Sequence, residues 1–169
     1  MEDLKRIEPI IRTLEKTRIV GKMARMSLNR NTTAQLWGEF MPLRSTIEDR
    51  LDASFWSVEV YPGPDFFKSF DPAREFEKWA AVPVGSPAFI PEDLETLLIP
   101  GGLYAVFAYK GKESEVSQMY GYIYGAWVPE SGYDLDQRPH FAVMGAKYKR
   151  EHPDSEEELW IPIREKQAG

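Results

Sequence analysis

The chain has no cysteine in its 169 residues, so no disulfide framework and no thiolate-bound zinc or iron–sulfur site can form. Histidine is nearly as scarce: His140 and His152 are the only two, neither has a second histidine at ligand spacing, and no metal is expected. No strongly apolar run exceeds about eight residues, where roughly 20 are needed to span a bilayer. The first sixteen residues, MEDLKRIEPIIRTLEK, alternate charges with aliphatics where a signal peptide would carry an unbroken apolar stretch. A cytoplasmic protein without membrane contact is expected. Basic clustering is missing too: 21 Lys and Arg stand against 27 Asp and Glu, for a formal charge of −6, which argues against a phosphate-tracking surface and direct nucleic-acid binding. No G-x-S-x-G, Walker loop or G-x-G-x-x-G occurs, so the usual signals of serine hydrolases, nucleotide kinases and dinucleotide enzymes are absent and no cofactor is expected.

What is present is aromatic. Five Trp, eight Tyr and nine Phe make up 13% of the chain, and several stand close to glycines or carboxylates. A core built from large side chains explains any one of them; an aromatic-walled pocket would explain their grouping. The length fits one domain, and at this size folding buries roughly 70% of the unfolded surface without a covalent or metal staple.

Self-comparison exposes a repeat. LWGEFMP at 36–42 and IYGAWVP at 123–129 share the pattern aliphatic, aromatic, Gly, any residue, aromatic, aliphatic, Pro. Each lies in a helical pattern. The first follows Asn31, Thr32 and Thr33, with Thr32 and Gln35 at capping-box spacing, and Pro42 is placed to end or kink the helix. The second carries a one-faced stripe through Val116, Met119, Tyr120, Ile123 and Trp127. The flanks repeat as well. An apolar strand-like run precedes each helix, at 18–28 and 103–111, and two follow it, at 54–61 and 75–84 in the first half and at 138–145 and 158–165 in the second. The expected fold is therefore α+β: two β-α-β-β units about a pseudo-two-fold axis, an antiparallel sheet with two main helices, the repeats spanning about 5–84 and 101–166 of a single domain. Residues 7–14 are expected to add a leading strand paired with 18–28. The seam between the halves is the natural concave place for a site.

These motifs resemble the gyrase-inhibitor-like (GyrI-like) small-molecule-binding domains, also called AraC-type effector-binding domains. The resemblance covers nearly the whole chain and rests on LWGEFMP, EFEKWAAVPV at 75–84, PGGLYAVFAYKG at 100–111, SGYDLDQRPHF at 131–141 and SEEELWIPI at 155–163. It implies a duplicated β-α-β-β fold with a ligand cleft between the halves, used by bacterial regulators to sense bulky, often cationic or aromatic compounds. The two halves fill the sequence and leave no room for a helix-turn-helix pair, so a stand-alone binder of drug-like or toxin-like molecules is expected.

Glu158 resembles the acidic residue that the family places at the start of its last strand, two positions before Trp160, and in a strand those two side chains share a face. Such a carboxylate against an indole would anchor a ligand; the acidic run Glu156–Glu157–Glu158 would otherwise be solvated. Many members carry Glu directly after the Phe of RPHF, whereas here Ala142 follows Phe141, so charge must come from elsewhere, Glu59 and Glu77 being candidates, or the ligand must be less cationic. The aromatic candidates are Trp37 and Phe40 on the first helix, Tyr104 and Tyr109 after Gly101 and Gly102, and Tyr124 and Trp127 on the second helix, with Phe40 and Trp127 the most core-like. Tyr104 is expected beside Glu158. Asp134 and Asp136 fall in a turn-rich segment read as a structural loop, with Arg138 a partner for Asp136.

The leading expectation is a module that binds a hydrophobic or aromatic small molecule at the seam. One alternative is a hydrolase of strained, cyclopropane-type electrophiles, with Glu158 as general base and Tyr104 orienting water. Another is a protein-interaction module, such as a gyrase-protecting factor.

Overall fold

The computed structural model describes residues 7–67 and 71–166; residues 1–6, 68–70 and 167–169 lie outside them, and with them a few residues of the first repeat. The strands are β1 (Ile10–Leu14), β2 (Thr17–Met26), β3 (Phe55–Val60), β4 (Phe76–Val84), β5 (Glu95–Ile99), β6 (Gly102–Lys110), β7 (Tyr133–Leu135), β8 (His140–Met144) and β9 (Glu156–Glu165). The main helices are α1 (Thr33–Phe40) and α2 (Val116–Tyr122). All pairings are antiparallel, in the order β1-β6-β9-β8-β3-β4-β2-β5, with β7 beside the end of β9. The two units are β2-α1-β3-β4 and β6-α2-β8-β9, joined across the central pair β3–β8.

Two edge strands depart from the expectation. β1 pairs with β6 of the second half rather than with β2, and β5, unmarked by any alternation in the sequence, pairs with β2. Both edges of β2 are taken, by β4 and β5, which leaves β1 the free edge of β6, and the reach of the chain then sets the shape of the sheet. Leu14 and Thr17 are separated by two residues, so β1 and β2 are at most about 11 Å apart at that end. Yet they stand six places apart in the strand order, roughly 29 Å in a flat sheet. The sheet must therefore curl until its two ends meet. The second connection, Ile99 to Gly102, meets the first: a Cβ on Gly101 would lie 2.8 Å from the Leu14 carbonyl oxygen.

The curl defines an inside and an outside. Inside lie Ile19, Trp56, Val58, Trp79, Ile99, Tyr104, Val106, Phe141 and Trp160, a cluster that contains no helical residue. Outside, α1 covers β2 and β4 through Leu36 and Phe40, and α2 with the turn that follows it covers β6 and β9 through Met119 and Ile123. Each fully buried aliphatic or aromatic side chain contributes about 1.5–3 kcal/mol of transfer free energy.

Local chemistry sets the helix limits. Thr32 precedes α1 without making a side-chain cap; instead the Asn31 side chain accepts from the Thr33 amide at 3.0 Å, so the capping box does not form. Met41–Thr46 continues as a tighter 3₁₀ turn at Pro42, whose ring cannot join an α-helical ladder. α2 instead widens into a π-helical turn over Ile123–Trp127 and ends with Val128–Glu130, so the second copy of the repeated motif spans the widened stretch. Arg138 ties the second half together. Its guanidinium bonds the Leu103 and Ile163 carbonyls and Asp136 Oδ2, the last at 2.8 Å, and lies 4.6 Å from the Tyr104 ring. It packs so closely over Gly102, at φ +151, that no side chain fits there. The segment read as a loop is thus partly a strand, β7, although the Asp136–Arg138 pair forms as expected.

Candidate functional site

Strand alternation decides which residues face the seam between the helices. On β9, Trp160 belongs to the inner cluster, whereas Leu159, Ile161 and Ile163 pack under α2. Glu158 therefore points to the inside of the curl, and Glu157 points to the helix side. Glu158 and Trp160 do share a face, and the indole Nε1 donates to Glu158 Oε1 at 3.1 Å, but that face is not the seam. Tyr104 is likewise internal and fully buried. Its hydroxyl donates to the Pro139 carbonyl at 2.9 Å, and burial raises its pKa to about 12. It pairs with Pro162, four residues along β9 from Glu158 and so about 13 Å away along the strand. A Glu158–Tyr104 constellation does not form.

The remaining aromatic candidates divide. Phe40 and Trp127 are core side chains, 0% and 9% exposed. Tyr109 spends its hydroxyl on the Lys112 carbonyl at 2.6 Å, although its ring packs on the helix side of β6. Trp37 and Tyr124, equivalent positions of the repeated motif, are half-buried and reach the helix side of the sheet, Trp37 against Phe55 and Tyr124 against His140.

The floor of the seam is the helix-side face of β3 and β8. Glu59 pairs with His140 and Ser57 with Ala142. Beside Glu59 on β4 stands Lys78, whose ammonium donates to Glu59 Oε1 at 3.0 Å; the two side chains are only 16% and 11% exposed. Tyr61, Tyr120 and Tyr124 stand close enough to Glu59 to feel its charge, and Phe66 and Phe67 pack on Tyr61. Phe67 stacks on Tyr124 at 4.3 Å, Tyr61 meets His140 edge-on at 4.9 Å, and the Tyr124 hydroxyl is 2.8 Å from His140 Nδ1. A small cavity, lined by Tyr61, Phe67, Arg138 and His140 among others, opens at this end of the seam.

Electrostatics follow from burial. The phenols of Tyr61, Tyr120 and Tyr124 are pushed well above their ordinary range by burial, and then by the Glu59 carboxylate. Burial lowers His140 to about 3, with Arg138 acting in the same direction, so the imidazole is neutral. At the other end of the seam burial raises Glu157 to about 7, helped by Glu113 and Glu59 and opposed by Lys78. Glu113 is itself held by the Tyr148 hydroxyl. The seam thus carries an ion pair, a neutral imidazole, protonated phenols and a carboxyl poised near neutrality.

The pseudo-two-fold relates these groups. Val58 and Phe141 face each other across the central pair; Val58 also faces Trp79 on β4, and Phe141 faces Trp160 on β9. Counted from that axis, Glu59 corresponds to Ala142, Lys78 to Leu159 and Glu77 to Glu158. The carboxylate missing at Ala142 is present at the equivalent place of the first half. Glu77, the other proposed source of charge, lies inside the curl, where the Trp79 Nε1 donates to it at 3.4 Å and Arg25 approaches at 3.9 Å.

A family model for the GyrI-like small molecule binding domain matches residues 7–164. The chain belongs to that family. Among curated proteins the domain resembles the transcriptional regulator BrlR of Pseudomonas aeruginosa, with 27% identity over 134 residues, 79% of this chain and 47% of that protein; the chain spans about half the length of that relative. Among solved structures it resembles the EcmrR C-terminal domain, at TM-score 0.67, 11% identity, 95% of this chain and 99% of that one. It also resembles SAV2435 bound to tetraphenylphosphonium, at TM-score 0.65, 14% identity and 94% of each chain. These likenesses fix the fold, two β-α-β-β units in one antiparallel sheet, and the broad class of small-molecule binding. Among the described residues no helix of the domain is long and apolar enough to cross a membrane, and no group of three or more His, Asp or Glu could hold a metal ion.

Sequence reasoning passed over Glu157, Lys78, Tyr61, Tyr120, Phe66 and Phe67. For Glu157 a signal existed: Leu159, Ile161 and Ile163 form the aliphatic row that a covering helix demands, and Glu157 is in their register. Phe66 and Phe67 sit on the short 3₁₀ turn Pro64–Phe67, which has no periodicity long enough to read.

Proposed function

We propose that the domain binds a hydrophobic aromatic small molecule in the seam between its two halves, with Tyr124, Tyr120 and Trp37 as walls and Glu59 and Glu157 as polar anchors. The observation that carries this reading is the stack of Phe67 on Tyr124 over His140 and the Glu59–Lys78 pair. A planar guest would take the place of the Phe67 ring and lie on Tyr124, gaining about 0.5–1.5 kcal/mol of ring contact beyond its area burial. The neutral imidazole and protonated phenols would supply hydrogen bonds without adding charge.

A thermal-shift panel of planar aromatic compounds tests the proposal. A ligand at a hundred times its dissociation constant should stabilise the fold by about 2.7 kcal/mol. Tyr124→Ala should weaken the hit about tenfold or more, whereas Glu158→Ala, on the other face, should not. Binding indifferent to Tyr124, or absent across the panel, would overturn the reading.

Glu157 favours a second reading. A carboxyl held near 7, in a site with Tyr120 overhead, is suited to take a proton from water attacking an electrophilic guest. That hydrolase reading moves from Glu158 to Glu157. Product from a bound alkylating agent, detected by mass spectrometry and lost in Glu157→Gln while binding persists, would establish it; intact compound after prolonged incubation would exclude it for that agent.

A further inference from the structure

Lys78 is an unusual floor residue for a site expected to attract cations. It stands on β4 with its residue 9% exposed, facing Ala24 on one side and Glu59 on the other. Its ammonium is bonded to Glu59 at 3.0 Å and is close enough to Glu157 to oppose the rise of that carboxyl. The equivalent place of the second half holds Leu159, so the lysine is not required by the scaffold: the same fold packs an aliphatic there. The carboxylate of the seam thus comes with its own resident cation.

We propose that Lys78 sets the ligand class of the seam, selecting an uncharged aromatic ring system that carries a hydrogen-bond acceptor and disfavouring permanent cations. The inference rests on the seam being the binding site. A cationic guest would have to separate Glu59 from Lys78, leaving a buried ammonium without its partner beside a second positive charge. A neutral guest leaves the pair intact and accepts a hydrogen bond from one of the two remaining ammonium protons. Selection of this kind acts by penalising the wrong guest as much as by rewarding the right one.

Two probes with one skeleton test it. Acridine, unprotonated at about pH 8, offers a ring-nitrogen acceptor; 10-methylacridinium has the same rings with that nitrogen capped and permanently charged. In fluorescence titrations the wild-type protein should bind acridine at least about tenfold more tightly. Lys78→Met should gain affinity for the cation and lose it for acridine, bringing the ratio to about one or inverting it. Because that variant leaves Glu59 buried without a partner, Glu59→Gln/Lys78→Met is measured beside it; with neither charge present it should also give a ratio near one. Equal or tighter wild-type binding of the cation overturns the proposal, as does a ratio unchanged in both variants. Tyr124→Ala separates the two levels. If it weakens both probes while the ratio ignores Lys78, the seam stands and the selectivity role falls. If neither probe binds, or Tyr124→Ala changes nothing, both fall.

Discussion

Replacing Glu157 with glutamine should change the pH dependence of stability in a way that few other substitutions would. Burial, Glu113 and Glu59 raise its carboxyl from the ordinary 4.5 to about 7 in the folded protein. Between those two values the native state holds a proton that the unfolded chain has released. Stability therefore falls as pH rises through this window, is free of the penalty below the unfolded pKa, and carries it in full above about 7. A difference of that size amounts to about 3.5 kcal/mol at most, because each pKa unit is worth about 1.4 kcal/mol. Glutamine keeps the shape and removes the charge. Urea unfolding of both proteins at intervals from about pH 5 to 8 gives the test, read as the difference between them. The variant should gain on the wild type as pH rises, by about 2–3 kcal/mol across the interval. His140 works in the opposite sense, since its depressed pKa makes stability rise with pH from about 3 toward its ordinary value of 6.5, but it is common to both proteins and cancels. A flat difference would refute the reasoning, and with it the placement of Glu157 on the helix side.

Glu158→Ala removes only the acceptor for the Trp160 indole and should cost about 1 kcal/mol in thermal or urea unfolding; loss of ligand binding would mean that the face assignment of β9 is wrong. Gly21→Ala should destabilise by more than about 3 kcal/mol, because the new Cβ would stand 2.1 Å from the Ala80 carbonyl oxygen and 2.6 Å from the Ala81 Cα, both backbone atoms that cannot turn aside. A loss under about 1 kcal/mol in the same urea assay would show that β2 and β4 separate there more easily than their nine-residue ladder implies.

The repeat made the fold legible and, by the same property, obscured the site. Matching LWGEFMP with IYGAWVP located both helices, and the flanking apolar runs located the six strands of the two units, because period and turn chemistry are local signals. The exchange of β1 and β5 between the halves was not legible, since it follows from chain closure over the whole sheet rather than from any segment. The site suffered from a different ambiguity. A strand buried on both faces shows apolar residues at odd and even positions alike, as β9 does in LWIPI, so alternation alone does not say which face meets a helix. Glu158 was the reasonable choice from its indole neighbour, and the indole turned out to be on the inner face.

Duplication also bears on how a guest would be held. A seam with true two-fold symmetry would accept a ligand equally in two orientations. Here the scaffold is repeated but the chemistry is not: Glu59 answers to Ala142, Lys78 to Leu159, His140 to Ser57, Glu157 to Phe76 and Tyr124 to Trp37. In the first two of these pairs the charge belongs to the first half; in the other three the titratable group belongs to the second. Because β3 and β8 are adjacent and antiparallel, the first-half charges and the second-half imidazole fall together, with Glu59 opposite His140. The result is one side of the axis where Lys78, Glu59, His140 and Tyr124 converge, and a two-fold-related side floored by the small side chains of Ser57 and Ala142. A guest with one polar edge and one apolar body fits that gradient in a single orientation, acceptor toward Lys78 and rings over the small-residue floor toward Trp37. Transplanting the polar end, by Ala142→Glu together with Leu159→Lys, should therefore cost orientation before affinity: the same guest would bind in two poses, and the single set of ligand resonances expected in the wild-type NMR spectrum would become two.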